Sequence, residues 1–118
     1  MSLAAGLSRF PPIVSFDEQL GVLRVSGDED RSTSGRRRRP ISAALNATRD
    51  VIADLSELRF ADSSLMIDLA VLAQRLRAHG RTLCLRHPQP HINRLIELVG
   101  LDRLPSVRVV AAQAAAAL

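Results

Sequence analysis

Residues 51–65 read Val51-Ile52-Ala53-Asp54-Leu55-Ser56-Glu57-Leu58-Arg59-Phe60-Ala61-Asp62-Ser63-Ser64-Leu65. The run Val51-Ile52-Ala53 is apolar on both faces, so residues 50–55 read as a buried strand. Ser56 to Ala61 read as a connection. Asp62-Ser63-Ser64 is a helix start, because short oxygen side chains satisfy the free N–H groups of a first turn. Leu65, Leu69, Leu72 and Leu76 then recur on one face at helical spacing, which assigns them to the core. The helix is expected to run to about His79, with Gly80 as its stop. A buried strand feeding a helix is half of a parallel crossover unit.

Working outward, the same alternation recurs on both sides. Upstream, Ile13–Phe16 and Leu20–Ser26 read as two short strands that could form a hairpin. Gly27-Asp28-Glu29-Asp30 ends the second of them. Residues 31–39, holding only Ser, Thr, Gly and Arg, read as an exposed basic loop. Pro40 suits the first turn of a helix, and Ile41, Ala44, Leu45 and Thr48 give that helix one core face. Downstream, Arg81–Arg86 is a strand. Pro90 opens a helix with Ile92, Leu95, Ile96 and Val99 on one face, and Gly100 stops it. Ser106–Val110 is a last strand, and the Ala-rich segment after it can form a helix. This order predicts an α/β fold with a four- to five-stranded mixed sheet and about four helices. Residues 1–12 read as a flexible leader, and 13–118 as one domain.

Composition narrows the function. All sixteen basic residues are Arg, and twelve acids leave a formal charge of +4. Five Arg lie between residues 31 and 39 (Arg31 and Arg36–Arg39), so the rest of the chain carries −1. The high isoelectric point is therefore local. It is a weak argument for nucleic acid, although Arg36–Arg39 could bind phosphate-rich polymers or steer an acidic partner. Trp and Tyr are absent and only three Phe occur, which removes the stacking platforms of single-strand binders. A single Cys, Cys84, rules out an internal disulfide framework. His87 and His91 lack a third ligand. Glu97 and Asp102 are isolated, and there is no Gly-rich phosphate loop or nucleophile elbow. No catalytic, metal or cofactor site is read from the chain. No apolar run reaches membrane length and no signal peptide is seen, so the expected location is the cytoplasm.

The turn at Asp62 is the strongest site candidate. Ligands of α/β sheets gather where strands hand over to helices, and a helix N-terminus accommodates a phosphate. Capping alone would explain the same residues. Ile67, Ala70 and Val71 point away from the helix's core face and could form a partner surface.

Four stretches carry a family resemblance: Val51-Ile52-Ala53-Asp54-Leu55-Ser56, Phe60-Ala61-Asp62-Ser63-Ser64, Gly80-Arg81-Thr82-Leu83 and Ile92–Leu101. Val25–Asp30 adds a weaker match. Together they resemble a STAS domain, the fold of bacterial anti-sigma factor antagonists, over about Ile13 to Val110. The resemblance implies a regulatory binding module rather than an enzyme. Ser63, directly after Asp62, would be its phosphorylated residue. The unphosphorylated form would bind an anti-sigma factor of the serine kinase type. Asp30, Thr33, Asp62, Ser64, Leu65, Ile67 and Val71 would form the docking surface. The family usually has Gly where this chain has Leu65, so Leu65 is expected to add bulk beside the acceptor and hinder the kinase. That departure leaves a second reading, a STAS scaffold without a phosphorylation switch in a larger signalling assembly. Nucleic-acid binding through the Arg run ranks third. Homodimerisation is left open.

Overall fold

The computed structural model describes residues 14–111. The leader at 1–12 and the Ala-rich tail from residue 112 lie outside the described residues. Among the described residues there are seven strands: β1 (Val14–Asp17), β2 (Val22–Val25), β3 (Gly27–Glu29), β4 (Val51–Asp54), β5 (Leu58–Ala61), β6 (Leu83–Arg86) and β7 (Val107–Val110). The α-helices are α1 (Ser34–Asn46), α2 (Ser63–Ala78) and α3 (Pro90–Val99), with 3-10 turns at Arg31–Thr33 and Leu101–Arg103. No helix among the described residues is long and apolar enough to cross a membrane.

The main sheet runs β1-β2-β4-β6-β7. Strand β1 is antiparallel to β2, and the other three pairings are parallel. Period two decides which residues enter the core. Leu23, Ala53 and Leu85 lie level across three strands and are fully buried. Their neighbours Ile52, Asp54, Cys84 and Arg86 point to the opposite face and are half-buried. The buried set joins Leu65, Leu69, Leu72 and Leu76 of α2, and Ile92 and Ile96 of α3, in one cluster. The leucine face is thus as expected, whereas β4, read as buried on both faces, fully buries only Val51 and Ala53 and leaves Ile52 half-buried. Gly100 ends α3 in the left-handed region at φ 80°, and Leu101 folds back into the core.

Three expectations are corrected. Residues 31–39 are not a loop. A capping arrangement opens the segment: the Asp30 side chain accepts from the Ser32 N–H at 2.9 Å, while the Asp30 N–H donates to Thr33 Oγ1 at 3.0 Å. The chain then runs helically from Ser34 to Asn46, with Pro40 inside the helix. Arg is a good helix former, and a helix that begins before residue 37 turns Arg37 inward. The missing Pro40 N–H deprives the Arg36 carbonyl of its partner, on a residue that stays exposed to water.

Second, Ser56–Ala61 is not merely a connection. Leu58–Ala61 is β5, and it pairs in parallel with β3 to form a separate two-stranded sheet. Gly27, at φ 74°, supplies the backbone turn that sends the chain from β2 into β3. Third, Leu20 stands outside β2 in the preceding turn and is exposed.

Candidate functional site

The small sheet places the acidic turn of β3 against the start of α2. The Asp62 N–H donates to the Glu29 carbonyl at 3.1 Å, extending the β3–β5 ladder by one bond. Asp62 is the N-cap of α2, in extended conformation. Its Oδ1 accepts from the Ser64 N–H at 2.9 Å and from the Ser64 hydroxyl at 2.5 Å. Its Oδ2 accepts from the Arg31 N–H at 3.1 Å. The Ser64 hydroxyl, the two backbone N–H groups and the Arg37 charge hold the Asp62 carboxyl below the usual carboxylate range. Asp62 is therefore an anion near neutral pH, and its first task is structural.

The two serines differ in a way their sequence does not show. Ser64 is half-buried and committed: it donates to Asp62 and accepts from Arg37 Nη2 at 3.2 Å. Ser63 is exposed, and its hydroxyl has no hydrogen-bond partner among the described residues. It stands at the first position of a helix of 16 residues. One turn on, Ile67 is 59% exposed, and Val71 follows at 41%. Residues 63, 67 and 71 are four apart and make one outward stripe. Beside Ser63 an apolar groove of about 170 Å³ opens between α2 and the end of α3, lined by Met66, Ile67, Ala70, Val99 and Leu101.

Beneath the turn lies a buried ion network. Glu29 is 0% exposed and Arg37 1%. Arg37 Nη1 donates to Glu29 Oε1 at 2.9 Å, to the Asp30 carbonyl at 3.1 Å and to Thr33 Oγ1 at 3.2 Å. Its Nε donates to Asp68 Oδ2 of α2 at 2.8 Å. The Thr33 hydroxyl donates to Glu29 Oε1 at 3.0 Å, and Arg36 Nη2 reaches Glu29 Oε2 at 3.4 Å. Burial opposes the charge on Arg37, but the Glu29 and Asp68 carboxylates outweigh it and raise its pKa. One guanidinium thus ties β3, α1 and α2 together and steadies Ser64. Thr33 and Asp30, read from the sequence as docking residues, are both bonded within this network.

Leu65 requires correction. Its side chain is 0% exposed and belongs to the core. It therefore neither touches a partner nor screens the Ser63 hydroxyl. The helical face that holds Leu69, Leu72 and Leu76 already contained this answer. Glu29 and Arg37 are the site residues that sequence reasoning missed. Two signals were available: the capping pair Asp30 and Thr33, and the position of Arg37 four residues before Ile41, on the core face of α1. Of the run Arg36–Arg39, only Arg38 and Arg39 have no ion pair among the described residues, so the basic segment is smaller in effect than its composition implies. Among the described residues no group of three or more His, Cys, Asp or Glu could hold a metal ion.

The sequence profile of the family described as "Mlab, STAS domain" matches residues 14–110. The chain belongs to the STAS domain family. No curated protein matches it by sequence. Among solved structures, this STAS domain resembles an assigned anti-sigma factor antagonist of Thermotoga maritima, with a TM-score of 0.66 and 16% identity over 92% of each chain. It also resembles a STAS domain protein of Planctomyces limnophilus, with a TM-score of 0.59 and 19% identity, covering 86% of this chain and 92% of the other. These two likenesses concern the fold. The Bacillus cell fate determinant SpoIIAA, solved in its phosphorylated form, has a TM-score of 0.57 and 25% identity, over 81% of this chain and 86% of its own.

Proposed function

We propose that this STAS domain is a regulatory binding module of the anti-sigma factor antagonist type, switched off by phosphorylation of Ser63. The observation that carries the reading is the asymmetry of the serine pair. Ser64 is tied to Asp62 and Arg37, whereas Ser63 presents a free hydroxyl at the helix N-terminus. The likeness to SpoIIAA, a protein known in a phosphorylated form, supports it. The partner is an anti-sigma factor of the serine kinase type, which brings the ATP, and the module itself catalyses nothing. It acts in the cytoplasm.

The switch follows from charge. The unmodified surface around Ser63 is a small hydroxyl beside an apolar groove and the exposed Ile67. Phosphate adds about −1.5 to −2 charge there. The α2 N-terminus tolerates that charge within the chain, but the anion Asp62 already stands next to it. A partner packed against the groove would have to desolvate both, so docking fails.

The test is incubation with a serine-kinase-type anti-sigma factor and ATP, followed by mass spectrometry of the wild type, Ser63→Ala and Ser64→Ala. Modification of the wild type and of Ser64→Ala, with none in Ser63→Ala, is expected. Ser63→Glu should weaken kinase binding at least tenfold. An unmodified wild type whose binding is insensitive to Ser63→Glu would sink the proposal and leave a scaffold without a switch.

A further inference from the structure

A concavity larger than the groove beside Ser63 lies elsewhere among the described residues. It is an open trough of about 390 Å³ between α1 and α2. Leu72, buried, and the half-buried Ile41 and Leu45 form its apolar floor. Val71, Arg38 and Arg75 stand exposed on its rims. Arg38 lies four residues after Ser34 on α1, and Arg75 four after Val71 on α2, so each cation projects from a rim at helical spacing.

The charge balance of the trough points one way. Among the described residues the only acid along it, Asp68, is already taken by the Arg37 guanidinium at 2.8 Å. Arg38 and Arg75 have no side-chain hydrogen bond or ion pair among the described residues. Positive rims over an apolar floor call for a ligand with an apolar stripe and acidic flanks. The trough runs from the level of Ser34 to that of Leu45, about 16 Å at 1.5 Å per residue. That length suits three turns of an amphipathic helix lying in a groove.

We propose that the α1–α2 trough is a second docking surface, which takes a short acidic amphipathic helix from a partner protein. It is independent of Ser63, which opens into the other groove, on the α3 side of α2. Nucleic acid fits the trough poorly. Among the described residues two free cations make few phosphate contacts, and no aromatic side chain lines the trough for stacking. The excess Arg of α1 then has a divided purpose: Arg37 holds the fold, and Arg38 reads the partner.

The experiment is an NMR titration of the isotope-labelled protein with two synthetic eighteen-residue helical peptides. Both carry Leu along one stripe; one has Glu flanks and the other Lys flanks. The Glu peptide is expected to shift resonances of residues around Arg38, Ile41, Val71 and Arg75. The Lys peptide is expected to bind at least tenfold more weakly. The double variant Arg38→Glu with Arg75→Glu, both at exposed positions, should reverse that preference. Ser63→Glu should leave the Glu-peptide affinity within twofold, which separates this surface from the proposed phosphorylation switch. Equal binding of the two peptides, shifts centred on the Ser63 groove, no shifts at about millimolar peptide, or duplex DNA perturbing the trough in place of the peptide would each overturn the proposal.

Discussion

Replacing Arg37 by Met tests the central claim about the site. The guanidinium is 1% exposed and its partner Glu29 is 0% exposed. Arg37→Met keeps much of the side chain's length and apolar stem but strands the Glu29 carboxylate in the interior. Removing one partner of a buried pair costs about 3–5 kcal/mol, because the remaining charge loses its compensation. The bond to Asp68 adds little to this figure, since Asp68 is 36% exposed in its side chain and water screens it. For a domain of about 100 residues, 1 kcal/mol moves Tm by about 4–8 °C. The expected fall is therefore between about 12 and 40 °C, a large part of a total stability of about 5–15 kcal/mol. Urea unfolding followed by circular dichroism gives the free energy directly. The double variant Glu29→Leu with Arg37→Met restores an apolar pair and should recover at least about 2 kcal/mol of the loss. A single variant within about 1 kcal/mol of the wild type would refute the reasoning. So would a double variant whose loss is the sum of the two single losses, for then the pair is not coupled.

Other perturbations test the rest of the molecule. Leu65→Gly should destabilise by about 3–5 kcal/mol, from a core cavity together with Gly in a helix. If instead it left stability intact and raised phosphorylation of Ser63, the burial of Leu65 would be wrong. Gly100→Ala should cost about 1–2 kcal/mol in urea unfolding, because φ 80° is a left-handed conformation; the nearest obstacle, Arg103 Nη2, ends a flexible side chain and can move aside. Burial pushes the Asp54 pKa up, but bonds from the Ser56 hydroxyl and N–H and from Arg86 outweigh it, and the folded-state pKa is lowered. A lowered folded pKa contributes stability that is fully present above the unfolded value of about 3.9 and is lost as pH falls through the folded value. Asp54→Asn should therefore flatten the dependence of stability on pH below about 4, and an unchanged acid limb would contradict the assignment.

The core of this fold is legible in the sequence because one-dimensional periods report it. Leu65, Leu69, Leu72 and Leu76 repeat at helical spacing, and Leu83 and Leu85 at strand spacing, whatever lies around them. The N-cap at Asp62 and the stop at Gly100 are equally local. What stayed hidden depends on distant partners. Arg37 looks like one of four solvated arginines until Glu29 and Asp68 are known to meet it. Leu58–Ala61 looks like a connection because its ladder partner lies about 30 residues away. Pro40 argues for a helix start on propensity alone, and the ion network overrides it. At the site, the sequence marked the Asp-Ser-Ser turn but could not rank its two hydroxyls, since only the fold engages one and frees the other.

The two-stranded ladder of β3 and β5 also has a consequence for how the chain comes to be functional. It joins Gly27 to Leu58, two segments distant in sequence. Closing a loop of that size before any contact rewards it is unfavourable. Pairing of β2 with β4 joins the same two segments at Val22 and Ile52, so the two ladders share one loop-closure cost. The acidic turn and the cap at Asp62 thus depend on contacts between segments distant in sequence, from Asp62 to Glu29 and from Arg31 to Asp62. A partner that recognises this corner inspects the whole chain at once. A nascent or partly unfolded copy holds every residue of the recognition sequence and offers none of its surface.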